Sequence, residues 1–182
     1  MRASTTRPRV LRRLLIATGA LGLLWFGGCL KWFRYPATDE PRSTDAAYVL
    51  ASGGGVARVG DGDLDALPGR TVVLSVSDVL AGRPDYQQAC AQPDVVCLSP
   101  DPVTTRGEAR VFAELARERG WRSVTVVTHQ SHITRSRMLM KRCFPGEVRM
   151  QAIDAENGRR AWAYAFAYET GAMIKAQLIR SC

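Results

Sequence analysis

Residues Thr104–Arg137 read TTRGEARVFAELARERGWRSVTVVTHQSHITRSR, and this stretch decides the fold class. Thr105-Arg106-Gly107-Glu108 matches the S/T-x-x-E capping box, in which hydroxyl and carboxylate each satisfy a free amide of the first helical turn. Val111, Phe112 and Leu115 supply an apolar stripe and Gly120 a stop, so a helix is predicted over Thr105–Arg119. Val124-Thr125-Val126-Val127 is a β-branched run of the kind buried on both faces of a parallel sheet. His129, Ser131, His132 and Arg135 come directly after it, at the carboxyl end of a strand, where open α/β sheets present their ligands.

The same rhythm extends in both directions. Strands are predicted at Ala46–Ala51, Thr71–Val76, Val95–Leu98, Val124–Thr128 and Val148–Ile153, and further helices at Ile133–Cys143 and Arg160–Ile179. Strands alternating with helices imply a three-layer, Rossmann-like α/β domain over residues 45–182, its sheet mostly parallel with right-handed crossovers. In the last helix Arg159, Arg160, Glu169 and Lys175 bracket or interrupt the apolar residues, which favours a packed amphipathic helix over a second membrane span. Residues 35–44 are polar and proline-bearing and read as a tether.

Of the 25 Lys and Arg, seven lie within residues 1–34, which hold no acid; the remainder has 18 basic against 17 acidic side chains. The net charge of +8 therefore belongs to the N-terminus, and a nucleic-acid partner is not expected. Residues 1–13 form a basic, cytoplasmic leader, and residues 14–34 run from an uncharged apolar stretch into Lys31-Trp32-Phe33-Arg34, the composition of a span that ends at an interface. A retained signal anchor in the plasma membrane, N-terminus inside, is the preferred reading; a cleaved secretory signal and a lipoprotein signal at Cys29 are the alternatives. Four cysteines follow the anchor, an even number that suits disulfides in an exported domain. Cys90 and Cys97 flank a short turn and form the nearest-neighbour pair, which leaves Cys143 and Cys182 for each other among three possible pairings. No C-x-x-C or spaced histidine pair occurs, so no metal is expected.

Candidate site residues sit at strand ends. The Gly53-Gly54-Gly55 amides can cradle an oxyanion, or serve simply as a βα turn. His132 can carry a proton near neutral pH, and Arg135, three residues on, shares its helix face and brings a planar fork suited to phosphate. Ser77, Asp78, Thr104 and Thr105 are polar residues near strand ends and candidates for the same cleft, whereas Arg137 reads as a solvated helix residue.

Thr104, Thr105, Glu108 and Ala109, followed by Val127, Thr128, His132, Arg135 and Arg137, resemble the two motifs of the SanA/YdcF-like family of bacterial envelope proteins, to which the ElyC-related proteins belong. Asp45–Leu50 running into Gly53–Gly55 is similar to the family's opening strand and turn, so the resemblance spans residues 45–153. It departs from the pattern at residues 55–70, which are Gly- and Asp-rich where the family carries a helix with a basic residue. The resemblance implies a part in cell-envelope or peptidoglycan maintenance and an anionic, phosphate-containing or lipid-linked ligand. It also places Glu108, which a capping role alone would explain, beside the ligand site; if chemistry occurs there, His132 is the general acid or base and Glu108 orients it. A non-catalytic binding or scaffolding protein, or a nucleotide or S-adenosylmethionine binder, is the alternative; no cofactor can be named from the residues.

Protease added to intact spheroplasts should digest everything after Tyr35. Protection of residues 36–182 would place the domain in the cytoplasm.

Overall fold

The computed structural model describes residues 7–51, 64, 67–153 and 158–182. Five parallel strands form one sheet in the order β3-β2-β1-β4-β5: β1 (Thr44–Val49), β2 (Gly69–Ser75), β3 (Val95–Leu98), β4 (Ser123–His129) and β5 (Glu147–Ile153). The helices are α1 (Arg7–Cys29), continued by a π-helical turn over Leu30–Arg34, then α2 (Asp78–Ala81), α3 (Pro84–Cys90), α4 (Thr105–Arg119), α5 (Ile133–Cys143) and α6 (Arg159–Leu178). The sheet grows outward from β1 in one direction through β2 and β3, and from β4 to β5 in the other. The strand order therefore reverses between β1 and β4, and the crevice at their carboxyl ends is where such a sheet binds ligands. The predicted α/β class and parallel sheet are what the chain adopts.

Alternation along the strands divides the core in two. Ala46, Tyr48, Val73, Val124, Val126, Val148 and Met150 face α4 and α5, where Phe112 stacks on Tyr48 at 4.8 Å and meets Phe144 edge-on at 5.6 Å. Ala47, Val49, Leu74 and Val127 face the other way, toward Leu80 of α2 and Tyr86 and Ala89 of α3. These two helices were not predicted: four and seven residues are too few to show a periodic stripe, and only Pro84 at the first turn of α3 marks a start. Gly120 ends α4 in the left-handed conformation (φ 69°), as its position after the last turn predicts. Both expected disulfides are present, Cys90–Cys97 and Cys143–Cys182, with Cα separations of 5.8 and 5.0 Å.

Three expectations need correction. The cap of α4 is Thr104, whose Oγ1 accepts the Gly107 amide at 3.1 Å, so Glu108 lies one residue past the capping-box position. Residues 35–44 are not a free tether. Asp39 exchanges backbone and side-chain bonds with Met150 on β5 (3.0 and 2.8 Å), Arg149 holds the Glu40 carbonyl, and Arg137, expected to be solvated, binds the Asp39 carboxylate at 2.7 Å and the Ala37 carbonyl. This also pairs the backbone of the edge strand β5 at Met150, where its amide and carbonyl would otherwise be open. Finally, α6 carries apolar residues on every side and is not amphipathic; only Phe166, Glu169 and Ala176 are buried.

Among the described residues one helical segment, Val10–Arg34, is long and apolar enough to cross a membrane. Its last turns lie against α6. Phe33 and Phe26 meet Phe166 at 6.5 and 6.1 Å, Trp25 Nε1 donates to Thr170 at 3.1 Å, and the Arg34 guanidinium sits 4.8 Å from the Trp162 ring.

At the amino end of the sheet, Asp45 Oδ2 accepts the amides of Arg122 and Ser123 and the Ser123 hydroxyl, at 2.8, 3.0 and 2.9 Å. The Arg122 amide bond, followed by that of the Ser123 hydroxyl, holds this carboxyl below its ordinary value of 3.8. Its contribution to stability is therefore complete above pH 3.8 and lost as the pH falls through the lowered value. Asp45→Ala should cost about 1–2 kcal/mol at neutral pH, and the loss should shrink in acid; urea unfolding of the full-length protein in micelles measures both.

Candidate functional site

α4 enters the crevice through an extended Val103-Thr104 turn, and Gly107 is the residue that lets it do so. A Cβ at Gly107 would collide with the Pro102 carbonyl, and the Gly107 amide is the one that Thr104 caps. The carboxyl end of β4 leads through a 3-10 turn, Gln130–His132, directly into α5, so His132 and Arg135 stand on the first turn of that helix. Across from them runs α6. Between these elements lies a cleft of about 630 Å³, lined among others by Ala51, Thr104, Thr105, Glu108, His132, Arg135, Tyr168 and Lys175.

A four-residue network organises its floor. Arg135 grips Glu169 with Nε and Nη2 at 2.8 and 3.0 Å, donates from Nη1 to Thr105 Oγ1 at 2.7 Å, and places Nη2 2.7 Å from His132 Nδ1. Glu169 Oε1 is also 3.1 Å from His132 Nδ1. Glu169 is only 1% exposed and Arg135 7%, so the pair is shielded from water and the geometry is bidentate. Burial opposes the charge on Arg135, but the hydrogen bonds and charge of Glu169 outweigh it and hold the guanidinium above its ordinary value. Burial is also what lowers the His132 pKa, over the opposing pull of Glu169 and with help from Arg135 and His129. This direction favours the neutral ring at neutral pH, and among the described residues its Nε2 makes no hydrogen bond. In the tautomer whose Nδ1–H donates to Glu169, the neutral imidazole leaves Nε2 bare in the cleft to take up a proton; where Nδ1 instead accepts from Arg135, the proton sits on Nε2.

Glu108 has a different task from the one expected. Its Oε1 accepts the amide of Ala51 at 2.8 Å, two residues past the end of β1, and its backbone carbonyl accepts the Tyr48 hydroxyl. Burial raises this carboxyl, opposed by the Ala51 amide, the Ser75 hydroxyl and Arg135. It lines the cleft, yet its bond is spent on the backbone.

The structure thus brings Thr104, Thr105, Glu108, His132 and Arg135 to one cleft. Gly53, Gly54 and Gly55 lie outside the described residues. Ser77 and Asp78 do not line the cleft; they start α2, whose Leu80 packs on the opposite face of the sheet. Arg135 presents its fork to a protein carboxylate rather than to solvent. His129 stands 6.4 Å from His132, ring to ring, with a buried Nδ1 that has no partner among the described residues. Glu169 was missed as a site residue. The available signal was that it is the only acid in α6, a helix otherwise apolar through its middle. Among the described residues no group of three His, Cys, Asp or Glu side chains could hold a metal.

No protein-family model matches the chain, and no curated protein sequence does so either.

Removing either member of the Arg135–Glu169 pair leaves a buried charge alone. Arg135→Met and Glu169→Leu should each cost about 3–5 kcal/mol, and the double variant much less than their sum. Chemical unfolding of the four proteins of the cycle gives the coupling; additivity would show that the pair is not energetically joined.

Proposed function

We propose that the chain is a single-pass envelope protein, held by α1 in the plasma membrane with its N-terminus cytoplasmic, whose cleft binds a phosphate-bearing precursor and uses His132 in its cleavage. The observation that carries this reading is His132, its Nδ1 held 3.1 Å from Glu169 and 2.7 Å from Arg135 at the switch point of a parallel sheet. Several features support an anionic ligand. The amino terminus of α4 borders the cleft, and Arg106, Arg110 and Lys175 line it. Lys175 makes no ion pair among the described residues. The disulfides support an oxidising compartment, and the resemblance to SanA/YdcF-like proteins supports a role in envelope or peptidoglycan maintenance. In the reaction, water adds to phosphorus as His132, in the tautomer whose Nδ1–H donates to Glu169, takes the water proton at Nε2, the bridging P–O bond breaks, and solvent protonates the departing oxygen.

A receptor that binds without cleaving is the second reading. It is favoured by the way Arg135 and Glu108 both spend their bonds on protein groups, which leaves His132 as the one candidate acid or base free to act.

Phosphate release from a polyprenyl diphosphate by the full-length protein in micelles separates the two. His132→Gln should slow release by about 10²–10⁴-fold while sparing binding. Because the pKa is lowered, the active neutral ring forms as pH rises, so the rate should climb along a limb whose midpoint lies below 6.5. Binding without release in the unmodified protein would select the receptor; absence of binding would end both readings.

A further inference from the structure

His132 is bracketed in sequence by two residues whose side chains bond the end of α1. A helix ends with carbonyls that have no partner within it. In the π-helical turn Leu30–Arg34, two of these carbonyls are taken up by the segment that carries the histidine. Gln130 Nε2 donates to the Arg34 carbonyl at 2.6 Å, and Arg34 Nη1 returns a bond to Gln130 Oε1 at 3.3 Å. Thr134 Oγ1 donates to the Trp32 carbonyl at 2.5 Å. Gln130 stands two residues before His132 and Thr134 two residues after it.

The same turn also holds α6. Phe33, only 4% exposed, packs with Trp162 and Phe166, and the Arg34 guanidinium lies against the Trp162 ring. One turn of five residues therefore touches both elements whose spacing sets the 3.1 Å between His132 Nδ1 and Glu169 Oε1. Neither the 3-10 turn Gln130–His132 nor the start of α5 is capped by a side chain of its N-cap residue. Local sequence thus does little to hold this entry into α5, and the bonds to α1 hold it instead.

We infer that the last turn of α1 is part of the site: Gln130 and Thr134 are positioning residues that, through the carbonyls of Arg34 and Trp32, set where His132 stands. The apolar segment then does more than tether. A chain that lost residues 30–35 together with it would keep the sheet and the cationic side of the cleft, but not the place of the histidine. Cleavage as a signal would leave an idle domain, so retention is a condition of function. The effect on rate rests on the role proposed for His132; the effect on the ring's surroundings rests on geometry alone.

The chain has two histidines, so NMR titration of isotope-labelled imidazoles in the full-length protein in micelles reads His132 directly, with His129→Gln for assignment. The groups facing the ring are Glu169 and Tyr168 of α6, Arg135 of α5 and His129 of β4. None of these is altered by Gln130→Ala or Thr134→Val, so a shift reports movement of the ring. Each variant should raise the His132 midpoint toward 6.5, because the ring leaves the burial that lowers it, and Thr134→Ser should restore it. Phosphate release from polyprenyl diphosphate should slow by about 10-fold in each and about 10²-fold in the double variant, with KM unchanged, since a displaced base costs turnover and not binding. Asp39→Ala, which loosens residues 37–40 from Met150 and Arg137 without touching the turn, should change neither reading. Thr134→Val, the milder change, decides if Gln130→Ala does not fold. An unmoved His132 midpoint overturns the inference, and so does an equal shift in Asp39→Ala. A shifted midpoint in a protein whose unmodified form releases no phosphate upholds the positioning and ends the cleavage reading alone.

Discussion

The buried pairing of Arg135 with Glu169 is the constraint around which the site is assembled. An apolar helix lying on an apolar surface can rotate or slide at small cost, and α6 is such a helix. A carboxylate that enters the interior only opposite a guanidinium removes that freedom, because every other register leaves a charge unpaired. The same guanidinium reaches Thr105 on α4 and His132 at the head of α5, so one residue joins three helices that come from widely separated parts of the chain. The net energy of such a pair is small once desolvation is counted, and its influence is exercised through arrangement.

That arrangement explains why His132 and Glu108, expected to act together, have been given different work. His132 receives its orientation from Glu169, and Glu108 fixes the backbone where β1 ends. Both carboxylates act on geometry at the edge of the same cleft. The cleft's positive character comes instead from groups whose charge is not cancelled nearby, Lys175 above all, and from the amino terminus of α4. The C-terminal segment closes one side: Arg106 and Arg142 bind the Ile179 and Ala176 carbonyls, Arg110 binds that of Cys182, and the Cys143–Cys182 bridge secures the end.

What could be read in the sequence was what depends on near neighbours. β-branched runs, a capped and glycine-terminated helix, and cysteines seven residues apart are local signals, and each led to the element observed. His132 and Arg135, three apart at a helix start, belong to the same class. Thr104 and Thr105 illustrate the limit: the capping-box pattern selects Thr105, yet the hydroxyl that accepts the Gly107 amide is that of Thr104, one residue earlier. Glu169 lies 34 residues from Arg135, and Asp39 lies 98 from Arg137; no spacing rule links such partners. Charged residues set in polar or apolar surroundings were therefore assigned to solvent when the fold had paired them.

The locking of residues 37–40 onto β5 and Arg137 has a mechanical meaning. A flexible leash would let a domain wander through a hemisphere above its anchor, so that any encounter with a molecule in the bilayer would be a search in three dimensions. With no slack between α1 and the sheet, a domain held in a bilayer by α1, as proposed above, would keep one attitude and diffuse as a rigid foot across a plane. Lateral diffusion alone would then bring it a ligand of the proposed kind, and lengthening the connection by a few flexible residues would convert the search back to the slower kind without altering a single atom of the cleft.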